Sequence, residues 1–278
     1  MITADITYNL DVDECKSTNI MVTGQTHSGK TRLLWGISNV LRYHGFLVYA
    51  IDPIGNYRYS PIPNYEKIHR DRVNIFKIWD ISTVYDVSEL RISEQREFVN
   101  KFCLALWESR QDSDNNTPTM VILEEVQNYC KNLRSETAEN ILQLAMSGRN
   151  RSIRLAYACP RLNNINAEMR FLAGQRFHGS SWESNVLAKI KGLYGKEIME
   201  MVKRLRTGEF LYHKPPEQPY VISVPCFPDT HRDMIKYTEK YTQTNTEITA
   251  KKYMRISNIL STITSLVITT IIILWLIC

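Results

Sequence analysis

The chain has 278 residues, of which 44% are hydrophobic and 23% are charged, a balance typical of a globular protein with one large domain or two small ones. Its net charge of +5 permits a nucleic acid or an anionic membrane as a partner but requires neither. Six cysteines without any C-x-x-C pair exclude the usual zinc modules and favour a reducing, cytosolic compartment. Met1–Glu14 lacks the basic start and apolar core of a secretory signal.

A glycine-rich motif follows the first predicted strand. After a polar lead-in, Ile20–Val22 predicts a buried strand, and apolar residues at helical spacing predict a helix over Thr31–Tyr43. The sequence between them fits the phosphate-binding pattern G-x-x-x-x-G-K-[ST]. This order favours nucleotide binding over the alternative, a chance glycine turn before an ordinary helix. The predicted phosphate-binding residues are Gly24, Gln25, Thr26, His27, Ser28, Gly29, Lys30 and Thr31.

The chemistry of this loop depends on its backbone. Gly24 and Gly29 permit dihedral angles that let successive N–H groups curl around a β-phosphate. The amino terminus of the following helix adds partial positive charge. Lys30 is predicted to reach the β- and γ-phosphates of ATP, and the Thr31 hydroxyl is a predicted ligand of Mg²⁺.

Further apolar runs predict the rest of the fold. Phe46–Ile51 is a predicted strand, and the prolines, tyrosines and charges of residues 58–72 predict an irregular connection. The alternation of helices and strands predicts an α/β fold with a mostly parallel sheet covered on both faces. The later predicted strands are Val73–Trp79, Met120–Leu123, Ile153–Cys159, Phe210–Tyr212 and Tyr220–Val224, and the predicted helices are Glu94–Arg110, Glu136–Met146 and the basic segment 183–205.

Two adjacent carboxylates end the predicted strand Met120–Leu123. In a parallel sheet this end lies next to the glycine loop. Glu124 is therefore a predicted Mg²⁺ ligand, and Glu125 is predicted to orient and activate the attacking water. The alternative is a solvated pair at a strand end, which would be the better interpretation if the phosphate loop were missing.

Four motifs in this order resemble the HerA/FtsK superfamily of DNA-pumping ATPases. They are the phosphate loop, Asp52-Pro53-Ile54-Gly55-Asn56-Tyr57, Leu123-Glu124-Glu125-Val126-Gln127-Asn128 and Ser147-Gly148-Arg149. Thr207-Gly208-Glu209-Phe210 also resembles a signature in a late hairpin of that family. The resemblance spans about residues 18–224 and implies a P-loop NTPase domain of the RecA-like (ASCE) type.

The chain departs from the family at two positions. The first acid is Glu124 where the family usually has Asp. The family ends its next strand with Thr-Gln or Ser-Gln, whose Gln senses the γ-phosphate, whereas this chain has Ala158-Cys159-Pro160-Arg161. Either Arg161 or Asn163 substitutes for the sensor, or the sensor is lost. This departure affects the expected rate of ATP hydrolysis more than the expected binding of ATP.

The resemblance also implies an assembly. Arg149 and Arg151 are the candidates for an arginine finger that reaches into a neighbouring subunit. Arg149 is either that finger or a solvated loop charge, while Arg151 is interpreted as a solvated loop charge. A finger in trans implies a ring, which is a hexamer in the motors that this chain resembles. A set of basic residues either lines a pore for DNA or forms a solvated helix face: Lys189, Lys191, Lys196, Lys203, Arg204 and Arg206.

The end of the sequence predicts a membrane anchor. Residues 256–278 carry no charge, and a run of about 20 mostly apolar residues is long enough to span a bilayer. Lys251, Lys252 and Arg255 precede it and predict that the ATPase domain stays on the cytoplasmic side. The predicted domains are therefore an ATPase domain over 1–224, a polar linker over 225–255 and a transmembrane helix over 256–278, with a buried C-terminal helix as the alternative.

These features predict a membrane-anchored ATPase that translocates double-stranded DNA. A compact motor with an anchor resembles the genome-packaging ATPases of viruses that have an internal membrane. One alternative is an assembly ATPase similar to the zonula occludens toxin family of filamentous phages, which usually carries a sizeable domain beyond its membrane span. Another is an ATP-binding membrane scaffold with little turnover, which the missing sensor Gln favours.

Overall fold

The structure, a computed structural model, describes residues 4–5, 10–70, 80–110, 117–130 and 135–224, with side chains from residue 10 onward. These residues form a sheet flanked by helices. The strands are β1 (Ala4–Asp5), β2 (Asn19–Thr23), β3 (Leu47–Asp52), β4 (Asn64–Lys67), β5 (Thr83–Asp86), β6 (Thr119–Leu123), β7 (Ile153–Cys159), β8 (Ala173–Gly179), β9 (Glu209–His213) and β10 (Tyr220–Ser223). The helices are α1 (Lys30–Tyr43), α2 (Ile92–Ser109), α3 (Gln127–Cys130), α4 (Glu136–Ser147), α5 (Ala167–Leu172), α6 (Ser184–Tyr194) and α7 (Lys196–Arg204).

The strands pair in one sheet with the order β1-β10-β9-β8-β2-β7-β6-β3-β5-β4. All pairs from β8 to β4 are parallel, whereas β9 pairs antiparallel with both β8 and β10. The predicted α/β class with a mostly parallel sheet is therefore confirmed. Because β2 lies between β7 and β8, the loop that follows β2 is near the middle of the edge formed by the carboxyl ends of the parallel strands.

The central strands are buried because helices cover both faces of the sheet. Alternate strand residues, such as Met21 and Tyr49, join one core with the apolar side chains of α2 and α4. In that core the ring of Phe102 lies 5.9 Å from the ring of Tyr49, centroid to centroid. Ile20 and the buried apolar residues of α1 lie outside this cluster, on the opposite face.

The outer elements differ from the predicted ones in three places. β4 lies within the predicted irregular connection 58–72; its sequence, Asn-Tyr-Glu-Lys, lacks an apolar run, and pairing with β5 holds it in the sheet. β8 was not predicted because Gln175, Arg176 and His178 interrupt its pattern, although two neighbouring strands bury it. The predicted basic helix 183–205 is two helices, since Gly195 separates α6 from α7 with φ of 93°.

Two predicted segments lie outside the described residues. They are the strand Val73–Trp79 and the C-terminal part of the chain, with its linker over 225–255 and its membrane anchor over 256–278. Among the residues that the structure does describe, no helix combines the length and apolarity needed to cross a bilayer.

Candidate nucleotide-binding site

The glycine loop runs from the carboxyl end of β2 to the amino end of α1, as predicted. Gly29 immediately precedes α1 with φ of 98°, a left-handed conformation that glycine adopts without strain. No described side chain caps this helix, so the N–H groups of its first turn are open to a ligand. Within the loop, Ser28 N–H donates to the Gln25 carbonyl over 3.1 Å, which makes a tight turn. The loop therefore presents backbone donors at a helix amino terminus, the arrangement that binds phosphate.

The end of β8 and the turn before β9 pack closely against this loop. A Cβ on Gly24 would lie 3.0 Å from the Gly179 Cα, and a Cβ on Gly29 would lie 3.3 Å from the Gly208 Cα. The Gly208 N–H donates to the Ser28 carbonyl over 3.0 Å. The late hairpin signature Thr207–Phe210 therefore has a physical role, because its glycine lets the chain pack directly against the phosphate loop.

The Ser28 side chain is an unsatisfied polar group within the loop. Ser28 is 1% exposed, and its Oγ has no hydrogen-bond partner among the described residues. An unpaired buried hydroxyl is costly, so such a group calls for an explanation. This orphaned atom fits a loop that receives an oxygen-rich ligand.

Lys30 lies on the side of the loop that faces the acidic pair. Its Nζ donates to the Gln25 carbonyl over 3.2 Å. Burial lowers the pKa of Lys30, and the negative charges of Glu125 and Glu124 act in the opposite direction. The phosphate loop and the two glutamates, about 100 residues apart in sequence, therefore share one electrostatic environment.

Glu124 is buried at the end of β6 and is 3% exposed. Its carboxylate accepts hydrogen bonds from the Thr31 side chain and, over 3.2 Å, from the Tyr57 hydroxyl. Burial raises the pKa of Glu124 to about 7, with further increases from the nearby charges of Asp52 and Glu125. A hydroxyl and clustered carboxylates are the oxygen ligands that Mg²⁺ prefers, so these residues fit the predicted metal ion.

The segment Asp52–Tyr57 holds the Glu124 side chain in place. Asp52 is fully buried and accepts N–H bonds from Ile54 and Gly55 on Oδ1 and from Tyr57 on Oδ2, over 2.7 to 3.0 Å. These bonds fold the turn so that the Tyr57 hydroxyl reaches Glu124. Tyr57 is the functional residue that local sequence patterns missed, because its partner is 67 positions away.

Glu125 is held in an unusual backbone conformation. Its φ is 50°, in the left-handed region that non-glycine residues seldom adopt. The Gln127 amide donates a hydrogen bond to the Glu125 carboxylate and fixes its direction. His27 in the phosphate loop also has a positive φ, of 66°. Strained backbone at both parts of the candidate site is consistent with a functional constraint on it.

Cys159 occupies the region where the resembling family places its sensor Gln. Burial raises the pKa of Cys159 to about 12, and the charges of Glu125 and Lys30 also act on it. The suggested substitutes have other partners: Arg161 pairs with Glu183 at 2.8 Å, and the Asn163 amide donates to the Asn185 carbonyl. In this structure a neutral thiol, rather than an amide, therefore lies beside the lysine and the glutamate.

Arg149 lies far from the phosphate loop of its own chain. Gly148–Arg151 forms a 3₁₀ turn at the amino end of β7, whereas Lys30 and Glu125 lie near its carboxyl end. From its first Cα to its last, the seven-residue strand β7 spans about 20 Å at the usual rise per residue. Arg149 is exposed, so its guanidinium is available to another molecule but not to this chain's own site.

Arg151 packs against Trp107 and is not the solvated loop charge that the sequence predicted. Its guanidinium lies 3.8 Å from the centre of the Trp107 ring and donates to the Trp107 carbonyl over 2.6 Å. The six basic residues proposed for DNA lie on α6, α7 and the turn after them, where Lys203 pairs with Glu200 at 2.8 Å. Five are exposed and Lys189 is partly buried.

Comparisons by sequence do not identify the chain. No protein-family description matches it, and no curated protein matches it.

Solved structures, by contrast, share its fold. One is the genome-packaging NTPase B204 of Sulfolobus turreted icosahedral virus 2 in complex with ATPγS, with a TM-score of 0.56 and 16% identity over 74% of this chain and 97% of that one. VirB4 of Thermoanaerobacter pseudethanolicus has a TM-score of 0.56 and 10% identity, over 76% and 90% of the two chains. The pCW3 conjugation coupling protein TcpA with ATPγS has a TM-score of 0.50 and 15% identity, over 81% and 66%. The chain therefore shares the fold of these proteins, which agrees with the P-loop NTPase fold that its motifs predicted.

Proposed function

We propose that this chain is a membrane-anchored ATPase that translocates double-stranded DNA and packages a viral genome. The observation that carries the proposal is the convergence of Lys30, Thr31, Glu124 and Glu125 at one edge of the sheet. The fold shared with a packaging NTPase and a conjugation coupling protein supports DNA as the substrate that is moved.

The residues of the site divide the chemistry between them. The loop N–H groups and Lys30 bind the phosphates of ATP. Thr31 and Glu124 would hold Mg²⁺, which neutralises phosphate charge when bound. Glu125 takes a proton from a water molecule whose oxygen bonds to the γ-phosphorus. The bond between that phosphorus and the β–γ bridging oxygen breaks, which leaves ADP and phosphate.

Assembly into a ring completes the proposed mechanism. Arg149 is exposed at the edge of the sheet opposite to the phosphate loop, so it can serve only the site of an adjacent subunit. A hexamer, as in the resembling motors, would place such sites between neighbours. The exposed lysines and arginines of α6 and α7 would then contact DNA phosphates.

Lys30→Ala tests the ATPase assignment. We expect the full-length protein to hydrolyse ATP faster with double-stranded DNA, and the variant to lose at least about a hundredfold of that rate, because a phosphate-binding cation is removed. Phosphate release with and without DNA is the measurement. Lys101→Ala, which removes a partly exposed lysine on α2, should leave the rate unchanged. An undiminished rate in Lys30→Ala would refute the assignment.

Deletion of residues 256–278 tests the anchor. We expect the full-length chain to float with liposomes in a density gradient and the shortened chain to remain at the bottom, because the uncharged segment supplies the membrane affinity. The deletion keeps Lys251, Lys252 and Arg255, so electrostatic attraction to anionic lipid is preserved as an internal control. Continued flotation of the shortened chain in high salt would show that the anchor lies elsewhere.

A second function is favoured by one observation. A thiol lies beside Lys30 and Glu125 where the related motors carry a γ-phosphate sensor. A protein without that sensor is suited to act as a scaffold, which binds ATP and assembles at a membrane but hydrolyses little ATP. Single-turnover measurements with radiolabelled ATP distinguish the two functions: a motor converts its bound ATP to ADP and phosphate, whereas a scaffold retains ATP.

A further inference from the structure

The segment after β8 holds an exposed tryptophan on a fixed backbone. Trp182 is 71% exposed, although Ser180 and Ser181 before it are 4% and 2% exposed. The Ser180 carbonyl accepts the Gln25 N–H over 3.1 Å, which ties the segment to the phosphate loop. On the other side, Glu183 pairs with Arg161 at 2.8 Å. The indole is therefore held in solvent beside the loop by contacts on both sides of it.

Trp182 follows β8, which lies on the opposite side of β2 from the strand that ends in the acidic pair. β2, which leads into the phosphate loop, has β7 on one side and β8 on the other. Lys30 and the two glutamates interact on the side of β7 and β6, where the terminal phosphate would be attacked. A nucleotide bound with its terminal phosphate on that side extends its sugar and base toward β8 and the segment that follows it.

We propose that Trp182 is the stacking platform for the purine base of a nucleotide bound at residues 24–31. This inference rests on the proposed nucleotide binding. An indole offers a flat π surface to a base, and aromatic stacking contributes to base binding without requiring a particular hydrogen-bond pattern. Because the backbone of residues 180–183 is already fixed, little additional ordering opposes the contact. The platform adds affinity for the nucleoside and none for the phosphates.

Two ligands distinguish the affinity that comes from the base from the affinity that comes from the phosphates. The binding of ATPγS and of inorganic tripolyphosphate, each with Mg²⁺, is measured on the full-length protein by calorimetry. We expect Trp182→Ala to weaken ATPγS binding about tenfold, or ~1.4 kcal/mol, and to leave tripolyphosphate binding unchanged. Trp182→Phe, which keeps an aromatic ring, should restore ATPγS binding to within about threefold. Phe171→Ala removes another exposed aromatic, 83% exposed and on α5 before β8, and should alter neither affinity.

The outcomes are distinct. Equal weakening of both ligands in Trp182→Ala would mean that the residue supports the loop, and the inference would be wrong. Unchanged binding of both would also refute it. If the unmodified protein bound neither ligand, the proposed function would fail together with the inference. Loss of ATPγS binding alone supports the platform.

Discussion

Replacement of Glu125 by glutamine is expected to reduce ATP hydrolysis by about a thousandfold and to leave ATP binding within about threefold. A glutamine amide cannot accept a proton from water, and general base catalysis typically contributes 10² to 10⁴ in rate. Glutamine has nearly the same shape as glutamate, so the substitution should add no strain to the left-handed backbone at this position, where φ is 50°. Phosphate release and ATPγS binding, measured on the same preparation, check the two parts of the prediction.

Two other substitutions make this result specific. Glu124→Gln removes a predicted metal ligand, so its hydrolysis should recover in part at higher Mg²⁺ concentration, whereas that of Glu125→Gln should not. Glu139→Gln alters an exposed carboxylate on α4 and should have no effect. If Glu125→Gln kept more than about a tenth of the native rate, the proton would have to leave through another group, and the assignment of the general base would be wrong.

The centre of the fold could be predicted because its sequence signals are local. β2 and β6 are buried on both faces, and each contains a continuous apolar run, Ile20–Val22 and Met120–Leu123. The helix Lys30–Tyr43 follows a motif whose spacing alone predicts its start, and the observed first residue differs from the prediction by one. The acidic pair could also be predicted from the sequence, because it directly follows a predicted buried strand in a chain that also carries a phosphate loop.

The outer elements and the supporting contacts could not be predicted, because they depend on partners distant in sequence. The strand Ala173–Gly179 contains Gln175 and His178, both fully buried; the Tyr212 hydroxyl donates to the Gln175 carboxamide, and the His178 ring pairs with the Thr23 hydroxyl. The polar side chains of this strand form hydrogen bonds with residues that are distant in sequence, so no local sequence pattern could predict them. The same holds for the Tyr57 contact with Glu124.

Arg149→Ala is expected to reduce hydrolysis by about a thousandfold without weakening ATP binding, because arginine fingers contribute 10³ to 10⁵ in rate where they have been tested. The neighbouring Arg151→Ala is the matched control. Its guanidinium stacks on Trp107, so this variant should lose some thermal stability but retain hydrolysis within about twofold. Rates are compared at equal protein concentration, above that needed for assembly.

Mixing two inactive variants tests whether Arg149 acts across subunits. Lys30→Ala lacks the phosphate lysine but carries a native Arg149, and Arg149→Ala carries a native Lys30. When Lys30→Ala supplies the finger to the site of an Arg149→Ala neighbour, that site has every catalytic group, so mixed assemblies should regain a measurable fraction of the native rate. A finger acting within its own chain predicts no recovery. Since the length of β7, about 20 Å, separates the Gly148–Arg151 turn from the end of the sheet that carries the loop, recovery is the outcome that the fold favours.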